Sequence, residues 1–198
     1  MYVPCATFND TDIKESILRE KYRGLTREEL PAKAKELGIA YERYSGSCSQ
    51  CTVAALWHIL GFEDIIVKTA TSSCGGHAGL SSGVCGAVIG ATIVLDYYLG
   101  RPVEMVSATE EIPQSFEKLE GAMARVRTFC DKFIGEYGSI LCPQVQTKIY
   151  GRSFDLQDAG QWQAFIDAGA HSDPTKCMSV VGNAAKWTLE VLMDASVV

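Results

Sequence analysis

The sequence predicts an all-α fold, a single-domain helical bundle with a buried central apolar helix and with cysteines at helix N-termini. Helix caps and glycine stops recur along the chain, and the alternating pattern of half-buried strands is missing from the sequence. A chain of 198 residues with 47% apolar residues can form one substantial core and has little room for a second. We therefore expect one compact helical domain.

Residues 1–43 are predicted to form an N-terminal helical cover, ahead of a cysteine-motif helical domain over residues 44–198. A first helix is expected over residues 12–22. A second helix is expected to open at the capping box Thr26-Arg-Glu-Glu29 and to stop near Gly38, since glycine is the preferred residue after a helix.

The next two predicted helices are candidates for the core. The helix over residues 47–60 has no charged side chain and is closed by Gly61. A glycine-rich loop over residues 74–82 leads to a helix over residues 83–99 that is apolar almost all round, which is typical of a surrounded helix. Gly86 and Gly90 would let a neighbouring helix, or a bulky inorganic group, come close to this helix.

The fifth predicted helix, over residues 109–137, has apolar residues in alternating steps of four and three, which indicates a heptad seam. We expect this seam to pack on a partner helix, either inside the chain or in a homodimer. The seam consists of Ile112, Phe116, Leu119, Met123, Val126, Cys130, Phe133 and Tyr137.

Three helices complete the prediction. One opens at Cys142-Pro143, with proline at its preferred first position, and ends near Gly151. A short helix is expected around Trp162 and Phe165, and a last one after Asp173-Pro174. The last helix carries one stripe of small and apolar residues, namely Cys177, Val181, Ala184, Thr188 and Val191.

Composition argues against several classes of protein. The formal charge of −6, without any cluster of Lys or Arg, argues against nucleic acid as a partner. Residues 69–95 lack charge, but their first half is rich in Ser, Gly and Thr, so we expect no membrane span. The N-terminal residues show no secretory signal, so we expect a cytoplasmic protein whose eight cysteines stay reduced.

Cysteines are predicted where helices begin. A helix N-terminus carries about half a positive charge, which lowers the pKa of a nearby thiol and stabilises its thiolate. Several such thiolates would make a metal site or a redox centre. The cysteines placed in this way are Cys48, Cys51, Cys85, Cys142 and Cys177.

The order of these motifs resembles the C-GCAxxG-C-C family. A cysteine is followed by a Gly-Gly-x-x-Gly loop, by Cys85-Gly-Ala-Val-Ile-Gly90 and by two further cysteines, over residues 44–192. Here the motif reads Cys-Gly-Ala in place of Gly-Cys-Ala. The resemblance implies a redox-active protein of an anaerobe, and its four motif cysteines correspond to Cys51, Cys85, Cys142 and Cys177.

Other residues near these motifs have lesser predicted roles. Cys48, Cys74 and His77 are candidate auxiliary ligands, and Gly75, Gly76 and Gly86 are expected to form the wall of the site. Cys130 fits a core cysteine on the heptad seam. His58 is expected at the edge of the core, and His171 on the surface.

Four thiolates and few histidines predict a site for a soft metal group, either an iron–sulfur cluster or structural zinc. Because the four cysteines come from four helices, the cluster is favoured over zinc, and we expect electron transfer to a redox partner protein. One alternative is a thiol–disulfide protein with Cys51 and Cys85, or Cys48 and Cys51, as its reactive pair. Another is an interaction module stabilised by zinc.

Overall fold

The computed structural model of the protein describes residues 17–198, and this part of the chain confirms the all-α prediction. It contains eight α-helices, and its only strand-like pairing is an isolated bridge between Val84 and Leu141. None of these helices is long and apolar enough to cross a membrane. The helices are α1 (Glu29–Ser45), α2 (Cys48–Leu60), α3 (Asp64–Thr69), α4 (Gly86–Leu99), α5 (Ser115–Tyr137), α6 (Cys142–Tyr150), α7 (Ala159–Asp167) and α8 (Cys177–Asp194).

The main core lies between α1, α2, α4 and α8, with α5 packed on α4 and α8. Helices α2 and α4 are apolar, as predicted, and they cross at Gly90. A Cβ atom at Gly90 would collide with the carbonyl oxygen of Ser49, so glycine is needed for this close approach. The predicted glycine stops after α2 and α6 are confirmed, with Gly61 and Gly151 both at positive φ.

Helix α1 begins as predicted but is longer. Both hydrogen bonds of the capping box form, from Thr26 N to Glu29 Oε2 (2.8 Å) and from Glu29 N to Thr26 Oγ1 (3.2 Å). The prediction that the helix stops near Gly38 is wrong, because α1 continues to Ser45. Gly38 is a contact residue instead, since a Cβ atom there would lie 2.9 Å from the Gly182 Cα of α8. The predicted division at residue 43 thus falls inside α1.

The predicted helix over residues 12–22 lies partly outside the described residues. Within residues 17–22 the prediction is wrong, because only the short 3-10 turn Glu20–Tyr22 forms there. The Arg19 N–H donates to the Ile59 carbonyl oxygen (2.8 Å), and the Arg19 guanidinium lies 4.4 Å from the centre of the Trp57 ring. Contacts with the end of α2 therefore hold this segment.

The heptad prediction for α5 is correct only in its C-terminal half. The helix begins at Ser115, after Ile112, and it buries Phe133 and Tyr137 together with Phe129, which is not on the predicted seam. Phe116 at its other end is 71% exposed, and Met123 is also exposed. Whether a second copy covers these residues in a homodimer stays a prediction.

Other boundaries also differ from the prediction. Helix α3 was not predicted. Helix α4 begins at Gly86, which makes Cys85 its N-cap residue, and α8 begins only at Cys177. The Asp173 carboxylate still accepts from the Thr175 N–H (2.8 Å), but it caps a turn that precedes the helix.

Candidate functional site: a cavity lined by cysteines

A cavity of about 160 Å³ lies where several helices begin, beside the glycine-rich loop. Apolar side chains from α6, α7 and α8 form much of its wall, including Val145, Phe165 and Val180. Its most distinctive feature is a set of five thiols. The cysteines that line it are Cys48, Cys74, Cys85, Cys142 and Cys177.

Four of these cysteines stand at helix starts, as predicted. Cys48, Cys142 and Cys177 are the first residues of α2, α6 and α8, and Cys85 precedes α4. Two backbone hydrogen bonds join the starts of α4 and α6, from Cys85 N to the Ile140 oxygen (2.8 Å) and from Cys142 N to the Gly83 oxygen (2.9 Å). The chain thereby places Cys85 and Cys142 side by side although they are far apart in sequence.

The glycines near the site let sulfur approach backbone. The Cys48 Sγ lies against Gly86, where any Cβ atom would collide with it, and it hydrogen-bonds to the backbone of Gly75. The thiols of Cys48 and Cys85 are within hydrogen-bonding reach of each other. Of the glycines predicted to form the wall, Gly75 lines the cavity, while Gly86 contacts the Cys48 sulfur and does not line the cavity. Gly76 packs instead on the backbone of Ser81, within its own loop.

Two of the predicted candidate ligands do not line the cavity. Cys51 is 1% exposed, packs in the main apolar core and does not line the cavity. A three-residue step along a helix turns the side chain by about 60°, which suffices to point Cys48 and Cys51 at different neighbours. His77 is exposed in the loop and does not line the cavity. The structure therefore brings together Cys85, Cys142 and Cys177 with the two auxiliary cysteines.

Two residues that sequence reasoning missed, Glu42 and His171, also line the cavity. Glu42 is 2% exposed, and its Oε2 has no hydrogen-bond partner in the described part of the chain. The same holds for His171 Nδ1, which lies 3.6 Å from Glu42 Oε1. The prediction that His171 is a surface residue is wrong, because its side chain is only 21% exposed. One signal was available for Glu42, which follows Ala34 and Gly38 at helical spacing on the buried face of α1.

Polar groups from α6 support two of the thiols. The Gln146 Nε2 donates to Cys142 Sγ (3.6 Å), while its Oε1 accepts from the Phe154 N–H (2.8 Å). The Tyr150 hydroxyl accepts from the backbone N–H of Cys177 (3.3 Å) and also hydrogen-bonds to its thiol. These contacts fix the orientation of sulfur atoms that the helix starts bring to the cavity.

Burial shifts the pKa values of the acidic groups in the site. It raises the pKa of Glu42 to about 7 and that of Cys142 to about 12, and it also raises the pKa of Cys177. The pKa of Cys48 is raised by its contact with the Cys85 thiol and by burial. The expected lowering of the thiol pKa at helix starts is therefore not found for Cys48, Cys142 and Cys177, because the contact with Cys85, for Cys48, and burial, for all three, favour the neutral thiol.

The donor set of the cavity fits a soft metal group. Five sulfur atoms surround it, and no Lys or Arg side chain of the described residues lines it. Over residues 17–198, no three Cys, His, Asp or Glu side chains converge closely enough to hold a single ion. The sulfur atoms instead surround a space larger than one ion.

Thiols from the starts of four helices line one cavity, which is the arrangement expected of a cysteine-based redox or metal-binding protein. Comparison with known families agrees. The chain belongs to the family described as "putative redox-active protein (C_GCAxxG_C_C)", whose model matches residues 46–191. No curated protein and no solved structure matches the chain. The predicted family is thus confirmed, and its description is that of a redox-active protein.

Proposed function

We propose that this protein binds an iron–sulfur cluster in the cysteine-lined cavity and passes electrons to a partner oxidoreductase. The observation that carries the proposal is that thiols from four helix starts face one cavity. The proposed ligands are Cys48, Cys85, Cys142 and Cys177, with Cys74 as a fifth thiol nearby. Cys48 takes the place that the sequence alone assigns to Cys51.

The shape and the charges of the site favour a cluster over a single zinc ion. Zinc needs four ligands at about 2.0–2.3 Å from one point. Here the thiols surround a cavity of about 160 Å³. Thiolate is the ligand that iron–sulfur clusters require, and the helix starts would offset the negative charge of four thiolates.

When bound, the cluster would supply one-electron transfer. The chain's own contribution is to hold the sulfur atoms and to keep water away. Val145, Leu156 and Phe165 supply the apolar wall, while Gln146 and Tyr150 orient two of the thiols. The backbone bonds between the starts of α4 and α6 hold two of the four thiols together before any metal arrives.

The test is anaerobic purification from a host that assembles iron–sulfur clusters, followed by iron and acid-labile sulfide assays and an absorption spectrum. We expect iron and sulfide in a fixed ratio to protein and a brown colour. Colourless protein free of iron would contradict the proposal. Stoichiometric zinc, with unfolding on chelation, would indicate the zinc-stabilised interaction module instead.

One observation favours a second candidate, a thiol–disulfide redox protein. The thiols of Cys48 and Cys85 already lie within hydrogen-bonding reach of each other. An oxidant such as an organic disulfide would take two electrons and two protons from the pair, which would form one S–S bond. Mass spectrometry after mild oxidation would then locate a reversible loss of about two mass units at this pair. Free thiols throughout would exclude this candidate.

A further inference from the structure

We propose that Glu42 is a carboxylate ligand of the metal group that the cavity cysteines hold, with His171 beside it. This inference rests on the proposed function. It assigns a role to a residue outside every cysteine motif, and it makes the site a mixed sulfur and oxygen site.

The first argument is the isolation of the carboxyl group. Glu42 lies in the last turns of α1, is 2% exposed and lines the cavity, and its Oε2 has no hydrogen-bond partner among residues 17–198. Buried carboxylates in proteins are paired with a cation, hydrogen-bonded or bound to a metal. An unpaired one is costly, so the position of Oε2 points to a partner that binds in the cavity.

The second argument concerns the charge of that partner. Within residues 17–198, no Lys or Arg lines the cavity, and its polar lining consists of thiols, Gln146, His171 and Glu42 itself. The Glu42 carboxylate therefore has no Lys or Arg cation beside it, and a metal cation held by the cavity thiols would supply the missing positive charge.

The third argument is that α1 holds Glu42 in place. Gly38, one turn earlier, packs on Gly182 of α8, and the Gly46 N–H donates to the Glu42 carbonyl oxygen (3.1 Å) where α1 ends. The His171 ring packs against Gly46 and faces the Glu42 carboxylate with the unpaired Nδ1. A carboxylate carried by a rigid helix is preorganised for a ligand, whereas one on a loop is not.

The test compares wild-type protein with E42Q, which keeps the shape of the side chain and removes its charge. Protein is loaded anaerobically with iron and sulfide, and iron content, midpoint potential and the Mössbauer spectrum are measured. We expect E42Q to bind iron at least about tenfold more weakly, or to keep it with a shifted potential and an altered Mössbauer signal at one iron. E42D, which retains a carboxylate, should recover part of the wild-type signal.

A readout without metal separates this role from a structural one. Chelator-treated E42Q should unfold at the same temperature as wild type or higher, because it removes an unpaired buried carboxyl group. D96N, which removes the charge of an exposed acid outside the cavity, is the control and should leave iron binding unchanged. Iron-loaded E42Q that matches wild type in content, potential and Mössbauer spectrum would overturn the role of Glu42 alone. Wild-type protein that binds no iron would overturn this role and the proposed function together.

Discussion

Cys48 and Cys51 differ in their surroundings although they lie in the same helical turn. Cys48 is packed between the Gly86 backbone and the Cys85 thiol at the cavity. Cys51 belongs to the main apolar core and has a carboxyl group as its polar neighbour. The two thiols of one helical turn therefore have different surroundings, since one lines the cavity and the other packs in the core.

This difference predicts the behaviour of single substitutions. C48S should lose most of its bound iron, because a hydroxyl group replaces a thiolate at the cavity. C51S should retain iron, with at most a shifted potential, since its sulfur does not line the cavity. Iron and sulfide assays on anaerobically purified variants check this, with C130S on α5 as the control. If C51S loses its iron and C48S retains it, then Cys51 and not Cys48 is the ligand.

At the scale of secondary-structure elements, glycines determine how closely the helices cross. Gly38 of α1 and Gly182 of α8 face each other, and neither position has space for a side chain. At the α2–α4 crossing, Gly90 likewise has no space for a side chain. These close approaches bring the end of α1, which carries Glu42, to the beginning of α8, which carries Cys177.

G38A should therefore destabilise the protein. Its Cβ atom would lie 2.9 Å from the Gly182 Cα, and because backbone cannot move aside cheaply, we expect a loss of about 1–3 kcal/mol in the free energy of unfolding. G121A is the matched control. No atom lies within 4 Å of a Cβ built there on α5, so alanine should stabilise that helix by up to about 1 kcal/mol. Urea unfolding of both variants measures the difference, and equal stabilities would refute the close crossing.

At the scale of the whole molecule, the cavity lies between two apolar clusters. Cys85, Val145 and Val180 belong to the main core, while Phe165 and Cys177 belong to a smaller cluster around α7. A group bound in the cavity would connect the two. The same position removes the acids of the site from water, which makes the stability of the whole protein depend on pH.

The stability of chelator-treated protein should fall as pH rises. Burial raises the pKa of Glu42 from 4.5 to about 7 in the folded state. The unfolded chain therefore releases this proton at a lower pH than the folded protein does, so rising pH favours the unfolded state. The free energy of unfolding should drop by about 2–3 kcal/mol between pH 5 and pH 8 from this group. E42Q should lack this drop. His171, with its lowered pKa, acts in the opposite direction, so the difference between E42Q and wild type in urea unfolding is the quantity to measure. An equal pH dependence in both proteins would contradict the burial of Glu42.

Much of the helical framework could be predicted because its signals are local. The capping box at Thr26, the proline after Cys142 and the glycines that end α2 and α6 act within one turn of a helix. The prediction failed where contacts between segments distant in the sequence determine the structure instead. Gly38 has the features of a helix stop, yet it serves a helix crossing, and Phe116 fits a heptad but lies beyond the part of α5 that packs on the bundle.

The sequence by itself determined that the chain is helical, that cysteines stand at the starts of helices and that the protein belongs to a redox-active family. Only the tertiary structure decided that Cys48 lines the cavity and Cys51 does not, and that Glu42 and His171 join the site. The physical reason is that capping and turn chemistry depend on neighbours in the chain. The side of a helix that meets a cavity depends on how α1, α2 and α8 pack, which no single segment encodes.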